Sequence, residues 1–267
     1  MRSCGLLASL TAEDAGRIDP PPYGHERDKE TRVLNPLGIM EYSQQLAGKV
    51  ASILEGNQFP LVLGGDCSIL IGNMLSLRRT GKRYGLFFID GHADFYQPEA
   101  SPTGEVADMD LAIVTGRGPA IITDIGGLKP YVRDEDVVLC GYRDAEESKR
   151  YGSQDVRQTG IASFDLSAVR ETGIESCVEK GIARFQANGV AGFWVHLDVD
   201  VLDDRVMPAV DYRMPGGLGF QELAGLLQGL LRTGLAVGMD VTIFNPSLDE
   251  GGSIAKNLAS TIAVGFS

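Results

Sequence analysis

Basic side chains are in short supply: 24 lysines and arginines face 36 acidic residues, leaving a formal net charge of −12 and a pI near 4.7. That balance disfavours nucleic acid and anionic membranes as partners. Cysteine is equally sparse. Cys4, Cys67, Cys140 and Cys177 are scattered without a C-x-x-C pair, which argues against a disulfide framework and points to reduced thiols. No apolar run approaches the roughly 18 residues of a membrane span, and the opening stretch MRSCGLLASLTAEDAGR has no apolar leader core. The expectation is a cytoplasmic protein with neither secretory nor membrane segment. Histidine, with three copies, is the rarest of the chemistry-bearing residues.

Glycine, by contrast, is abundant: 34 of 267 residues, about twice the usual share of roughly 7%. With 43% hydrophobic residues the chain can bury a substantial core, and residues 1–267 read as one folded, loop-rich domain. Residues 1–36, which contain PPPYGHERDKE, read as an irregular surface segment. Helical patterns follow at 40–56, 68–80, 171–187, 219–233 and 252–265. Between them lie short apolar runs at 59–65, 84–90, 136–144, 190–200 and 235–244. Strands buried on both faces and separated by helices indicate parallel βαβ units and an α/β sandwich. In such sheets the ligand sits beyond the carboxyl ends of the strands, where the polar clusters of this chain fall.

Two of these clusters repeat one pattern, Asp90-x-His92-x-Asp94 and His196-x-Asp198-x-Asp200. Alternate residues of an extended segment share a face about 6.6 Å apart, so two such combs facing each other can cage metal ions. Carboxylates with imidazole suit Mn²⁺, Zn²⁺, Fe²⁺ or Ni²⁺. A single comb is equally compatible with solvated carboxylates at a strand end. Asp198 and Asp200, however, close an apolar run in which unpaired carboxylates are costly to bury.

Gly64-Gly65-Asp66-Cys67-Ser68, Asp90-Gly91-His92-Ala93-Asp94, Asp198-Val199-Asp200-Val201-Leu202-Asp203 and Asn245-Pro246, in this order, resemble the signatures of the arginase/agmatinase (ureohydrolase) family. The resemblance covers about residues 59–260. It implies a three-layer αβα sandwich on a mostly parallel, about eight-stranded sheet, and a centre of two Mn²⁺ ions that hydrolyses guanidino or amidino C–N bonds. Carried over by motif position, Cys67, Asp90, Asp94 and Asp198 would hold one ion, and Asp90, His92, Asp198 and Asp200 the other.

Three positions depart from the family pattern. Cys67 stands in place of a histidine, Ala107 in place of a proton-shuttling histidine, and Ile243, in Asp240-Val241-Thr242-Ile243-Phe244-Asn245-Pro246, in place of a guanidinium-pairing glutamate. A thiolate ligand adds one negative charge and makes zinc, iron or nickel more competitive with manganese. His196 is a candidate proton carrier alongside a catalytic Asp200, or else a hydrogen-bonded core residue. Glu146, Asp211 and Arg213 are candidate substrate contacts; the last two read equally as an internal ion pair, and Glu146 as a carboxylate placed for the helix dipole. His25 belongs either to a lid or to a solvated loop.

The departures resemble the Nω-hydroxy-L-arginine amidinohydrolase branch of the family. A hydroxyguanidine is far less basic than a guanidine, so it needs less charge pairing and less proton delivery. The expected substrate is therefore Nω-hydroxy-L-arginine, giving hydroxyurea and ornithine. The alternatives are an arginase, agmatinase or formimidoylglutamase activity, or a non-catalytic metal-binding protein. The implied partner is a small guanidino or hydroxyguanidino molecule, with self-association into a homo-oligomer left open.

Overall fold

The computed structural model describes all 267 residues. The five apolar runs become strands of a six-stranded parallel sheet, with one edge strand added: β1 (Leu61–Leu63), β2 (Gly85–Ile89), β3 (Val137–Cys140), β4 (Ala162–Phe164), β5 (Phe193–Asp198) and β6 (Ala236–Thr242). They are ordered β1-β6-β5-β2-β3-β4 in one sheet. The α/β sandwich is as expected, but the sheet has six strands rather than about eight. The remaining segments are poor strand material. Residues 1–36 carry a short helix, α1 (Leu6–Leu10), and an isolated antiparallel bridge between Arg27 and Leu34. The stretch 203–217 is interrupted by Pro208, Pro215, Gly216 and Gly217, which deny a ladder its donors and side chains. The N-terminal segment is thus irregular apart from the α1 turn that sequence patterning missed, as it missed the three-residue edge strand β4.

Helices cover both faces. On one lie α2 (Pro36–Glu55), α3 (Ile69–Arg79), α4 (Asp110–Val114) and α5 (Ala120–Thr123), with α6 (Ala145–Arg150) following the end of β3. On the other lie α7 (Leu166–Thr172), α8 (Ile174–Ala187), α9 (Phe220–Leu231) and α10 (Ser253–Gly265), together with α1. The helix expected over 171–187 is in fact two, broken at Gly173, whose φ of 85° ends one and starts the next. Helix α2 begins earlier than its apolar pattern suggests because Pro36 occupies its first turn. No helix is long and apolar enough to cross a membrane.

The central strands are continuously apolar because both faces are buried. Leu86, Phe88 and Trp194 pack towards α2–α5, whereas Phe87, Val195 and Leu197 pack towards α7–α10. Alternation along β5 therefore turns His196 and Asp198 to the α2–α5 side. His196 lies in register between Phe88 of β2 and Asp240 of β6.

Candidate metal centre

After β2 and β5 the strand order changes direction, β3 and β4 lying on one side and β6 and β1 on the other. The crevice at such a switch point gathers the loops that follow the strands. Asp90 directly follows β2, Asp198 ends β5, Thr242 ends β6, and Cys67 sits in the turn between β1 and α3. Gly91 lets this packing close: a Cβ there would lie 2.5 Å from Arg143 Nη1 and 2.8 Å from the Asp200 carbonyl oxygen. Arg143 in turn donates through Nη2 to the carbonyls of Asp200 (2.9 Å) and Met214 (3.0 Å), pinning the Asp200 turn to the loop beyond it.

The structure brings together Cys67, Asp90, His92, Asp94, His196, Asp198 and Asp200. Cys67 donates to Asp198 Oδ2 at 2.8 Å, and its sulfur is 3.2 Å from the Thr242 hydroxyl. The Asp200 amide donates to Asp198 Oδ1 at 2.6 Å, the His92 amide to Asp90 Oδ1 at 2.6 Å, and the Gly91 amide to Asp200 Oδ1 at 3.0 Å. His92 Nδ1 is 2.9 Å from Asp200 Oδ2 and 3.8 Å from Asp90 Oδ1. Asp94 is buried, with a left-handed φ of 44°. Two potential ligand groups share Asp90: a fully buried one of Cys67, Asp90 and His196, and a shallower one of Asp90, His92 and Asp200.

Burial and mutual repulsion set the protonation of this cluster. Burial, then the Asp200 charge, pushes Asp90 up to about 7. Asp94 and Asp198 rise well above the usual carboxylate range, Asp198 by burial and then the Asp200 charge, Asp94 by burial and then the Asp90 charge. Asp200 resists burial and stays below its ordinary value because His92 faces it. The Cys67 thiol is pushed up by burial and by Asp198. Asp90 Oδ2 and His196 Nε2 are buried without a hydrogen-bond partner. Crowded oxygen, nitrogen and sulfur donors with orphaned lone pairs are what divalent cations satisfy, so this residue set fits a metal centre.

The outer candidates are not drawn into the cluster. Glu146 is exposed in the first turn of α6. Asp211 is exposed and accepts from Asn245 Nδ2 at 3.1 Å. Arg213 pairs with Asp204 at 3.7 Å, so the ion pair expected between Asp211 and Arg213 is replaced by that partner. His25 is exposed and packs edge-on against Tyr23, whose hydroxyl lies 3.5 Å from Glu105. Ala107 is half-buried in a short turn at 106–108. Ile243 holds a φ of 68° and donates its amide to the Gly65 carbonyl at 2.8 Å, which sets an aliphatic side chain beside the Cys67 turn.

Three further groups escaped sequence reasoning. Asp240 accepts from His196 Nδ1 at 2.6 Å and from the indole N–H of Trp194. Its only signal was a carboxylate inside an apolar strand, which must be paired when buried. Asp144 accepts from the Ala93 amide at 3.1 Å and so braces the Asp90–Asp94 turn. Asp110 is fully buried at the start of α4 with Oδ2 unpartnered, and burial lifts its pKa well above the usual range.

Comparison with known proteins gives a uniform result. The model of the family described as "Arginase family" matches residues 2–266. The arginase of Staphylococcus aureus (strain COL) is 30% identical over 273 residues, spanning 100% of this chain and 89% of that protein. The arginase of Bacillus caldovelox is 31% identical over 274 residues, spanning 99% and 87%. The solved structure of the Bacillus caldovelox arginase superposes with a TM-score of 0.90 at 29% identity, covering 99% of this chain and 89% of that one.

Proposed function

The chain belongs to the arginase family and is a metal-dependent amidinohydrolase, and from that premise we propose that its buried Cys67–Asp90–Asp198 cluster serves hydrolysis of a weakly basic guanidino group, with Nω-hydroxy-L-arginine as the preferred substrate. The observation that carries this reading is the convergence of Cys67, Asp90, His92, Asp94, Asp198 and Asp200 at the carboxyl ends of β2 and β5. These six residues would hold two divalent ions, Asp90 and Asp198 being shared between them. Bound there, such ions make water a stronger acid and polarise the substrate carbon.

The chain's own residues then divide the remaining work. Asp200, whose Oδ2 lies 2.9 Å from His92 Nδ1, would take a proton from attacking water. His92 is the one imidazole of the cluster that reaches solvent, with 21% of its side chain exposed, so a proton on this pair can leave the site. Arg143, donating through Nη2 to the carbonyls of Asp200 and Met214, positions the Asp200 turn.

Substrate preference rests on Ile243 and Ala107. Neither provides a carboxylate to pair with a permanent cation or an imidazole to protonate the departing amine. Each proton-transfer group is typically worth about 10²- to 10⁴-fold in rate, so a substrate that is neutral near physiological pH loses least. L-Arginine is the second reading, favoured because the relatives named above are arginases.

The test is kcat/KM for L-arginine, agmatine and Nω-hydroxy-L-arginine, measured on protein loaded separately with manganese and zinc. A higher value for the hydroxyguanidine is expected. L-Arginine turnover equal to or above it overturns the substrate assignment and returns the chain to ordinary arginine hydrolysis.

A further inference from the structure

His196 is the one member of the cluster that the arginase signatures do not account for, and its environment is built around one nitrogen. The side chain is wholly buried. Nδ1 is committed to Asp240 Oδ2 at 2.6 Å, and Asp240 is itself held from its other oxygen by the indole of Trp194. The ring stacks on Phe88 with centroids 4.4 Å apart and planes at 27°, so it cannot swing away. What remains is Nε2, buried and without a partner. Asp90 Oδ2 is likewise buried and unpartnered. A ligand atom from each of Cys67, Asp90 and His196 lies within 4.8 Å of the others.

We propose that His196 is a metal ligand in this chain, sharing with Cys67 and Asp90 a deep sulfur–nitrogen–oxygen site distinct in character from the shallower Asp90–His92–Asp200 site. The proposal rests on the metal-centre reading above and adds a residue to it. A carboxylate on the far nitrogen is the usual support of a ligating imidazole: it fixes the tautomer, aims the ring and raises its basicity. Asp240 is thus a positioning residue. A buried, unpartnered imidazole nitrogen is otherwise costly, and a proton carrier needs a route to solvent that a wholly buried His196 lacks. The consequence is selectivity. A site with one thiolate and one imidazole favours zinc, cobalt or ferrous iron, whereas the shallower oxygen-rich site tolerates manganese. The two positions therefore fill in sequence and with different preferred ions.

The experiment reads metal directly. His92→Ala removes the imidazole of the shallow site, leaving His196 as the only buried one. Loaded with one equivalent of zinc, this variant is expected to show one sulfur at about 2.3 Å and one imidazole nitrogen at about 2.0 to 2.1 Å by X-ray absorption. Sulfur without imidazole overturns the proposal, as does an oxygen-only shell. In cobalt-loaded wild-type protein a thiolate charge-transfer band should accompany the first equivalent bound. Asp240→Asn should weaken binding of that equivalent about 10- to 100-fold while retaining the band. An Asp240→Asn affinity equal to wild type counts against the proposal. Two ions bound with His196 ligation but no hydrolysis of any guanidino compound would sustain the proposal and sink the substrate reading. Hydrolysis by a two-ion enzyme whose deep ion lacks imidazole would do the reverse.

Discussion

Ile243 is, with Asp94, one of two residues at the site held at a left-handed φ. A β-branched side chain at a φ of 68° sits where such residues are rarely found, at a cost of about 1 to 3 kcal/mol. The conformation is held because its amide reaches the Gly65 carbonyl at 2.8 Å and locks the β6 end to the Cys67 turn. Ile243→Glu removes the β-branch and supplies a carboxylate beside the centre. A charged hydrogen bond to a guanidinium contributes roughly 1.5 to 3 kcal/mol, so the preference for L-arginine over Nω-hydroxy-L-arginine should shift towards arginine by about tenfold or more in kcat/KM. No shift would mean that position 243 does not face the substrate.

Asp108 makes a separate prediction at the same scale. Burial raises its pKa to about 6, against the pull of hydroxyl donors from Thr103 and Ser101. Its folded pKa thus exceeds the unfolded value near 3.8, so its contribution is favourable below about pH 4 and is lost as pH rises through about 6. Asp108→Asn keeps an acceptor for both hydroxyls and carries no charge. The variant should be more stable than wild type by about 1 to 3 kcal/mol at pH 8, with the difference shrinking towards pH 4. Chemical denaturation at the two pH values checks it, and a pH-independent difference would contradict it.

Among the elements, the β5–β6 pair carries the support of the deep site. Trp194, His196 and Asp198 alternate along β5 on the α2–α5 side, and Asp240 meets two of them from β6. The indole fits only because Gly238, opposite Trp194 in the ladder, has no side chain; a Cβ there would run into the ring. Gly238→Ala should cost about 1 to 3 kcal/mol by overpacking and should loosen Asp240, weakening binding of the first metal equivalent. Trp194 is the only tryptophan, so its fluorescence reports the displacement directly. An unchanged emission spectrum with unchanged metal affinity would show that the strand pair absorbs the methyl group.

For the molecule as a whole, metal and fold are linked. The sheet carries Asp90, Asp94, Asp110, Asp198, Asp200 and Asp240 into its buried carboxyl edge, a concentration of acid that costs stability unless cations or protons offset it. Ions that bind only the folded state stabilise it by about 2.7 kcal/mol at a hundredfold excess over Kd. For a chain of this size that corresponds to roughly 5 to 10 °C in Tm. Chelator-treated protein should melt lower by that order and recover on adding zinc or manganese. A Tm indifferent to chelation and reloading would argue against ions at this edge.

The cysteine ahead of them was marked only by its place in a family motif, but local chemistry alone was enough to place the strand cores, the D-x-H-x-D turn and the Asp198–Asp200 turn. Each is a contiguous pattern whose side-chain period or apolar run is visible without neighbours. Strand number was not legible, because three-residue edge strands such as β4 have too few residues to show a period and exist only by pairing. The outer loops were equally opaque: the choice of Asp204 rather than Asp211 as the partner of Arg213 depends on how a proline- and glycine-rich turn folds back. The role of His196 lay in neither its spacing nor its rarity. It was decided by a carboxylate 44 residues away, brought alongside by the parallel β5–β6 ladder, which takes one imidazole nitrogen and leaves the other facing the cysteine. Sequence determines which groups are available to bind, whereas burial and cross-strand register determine which of their lone pairs are left free to do so.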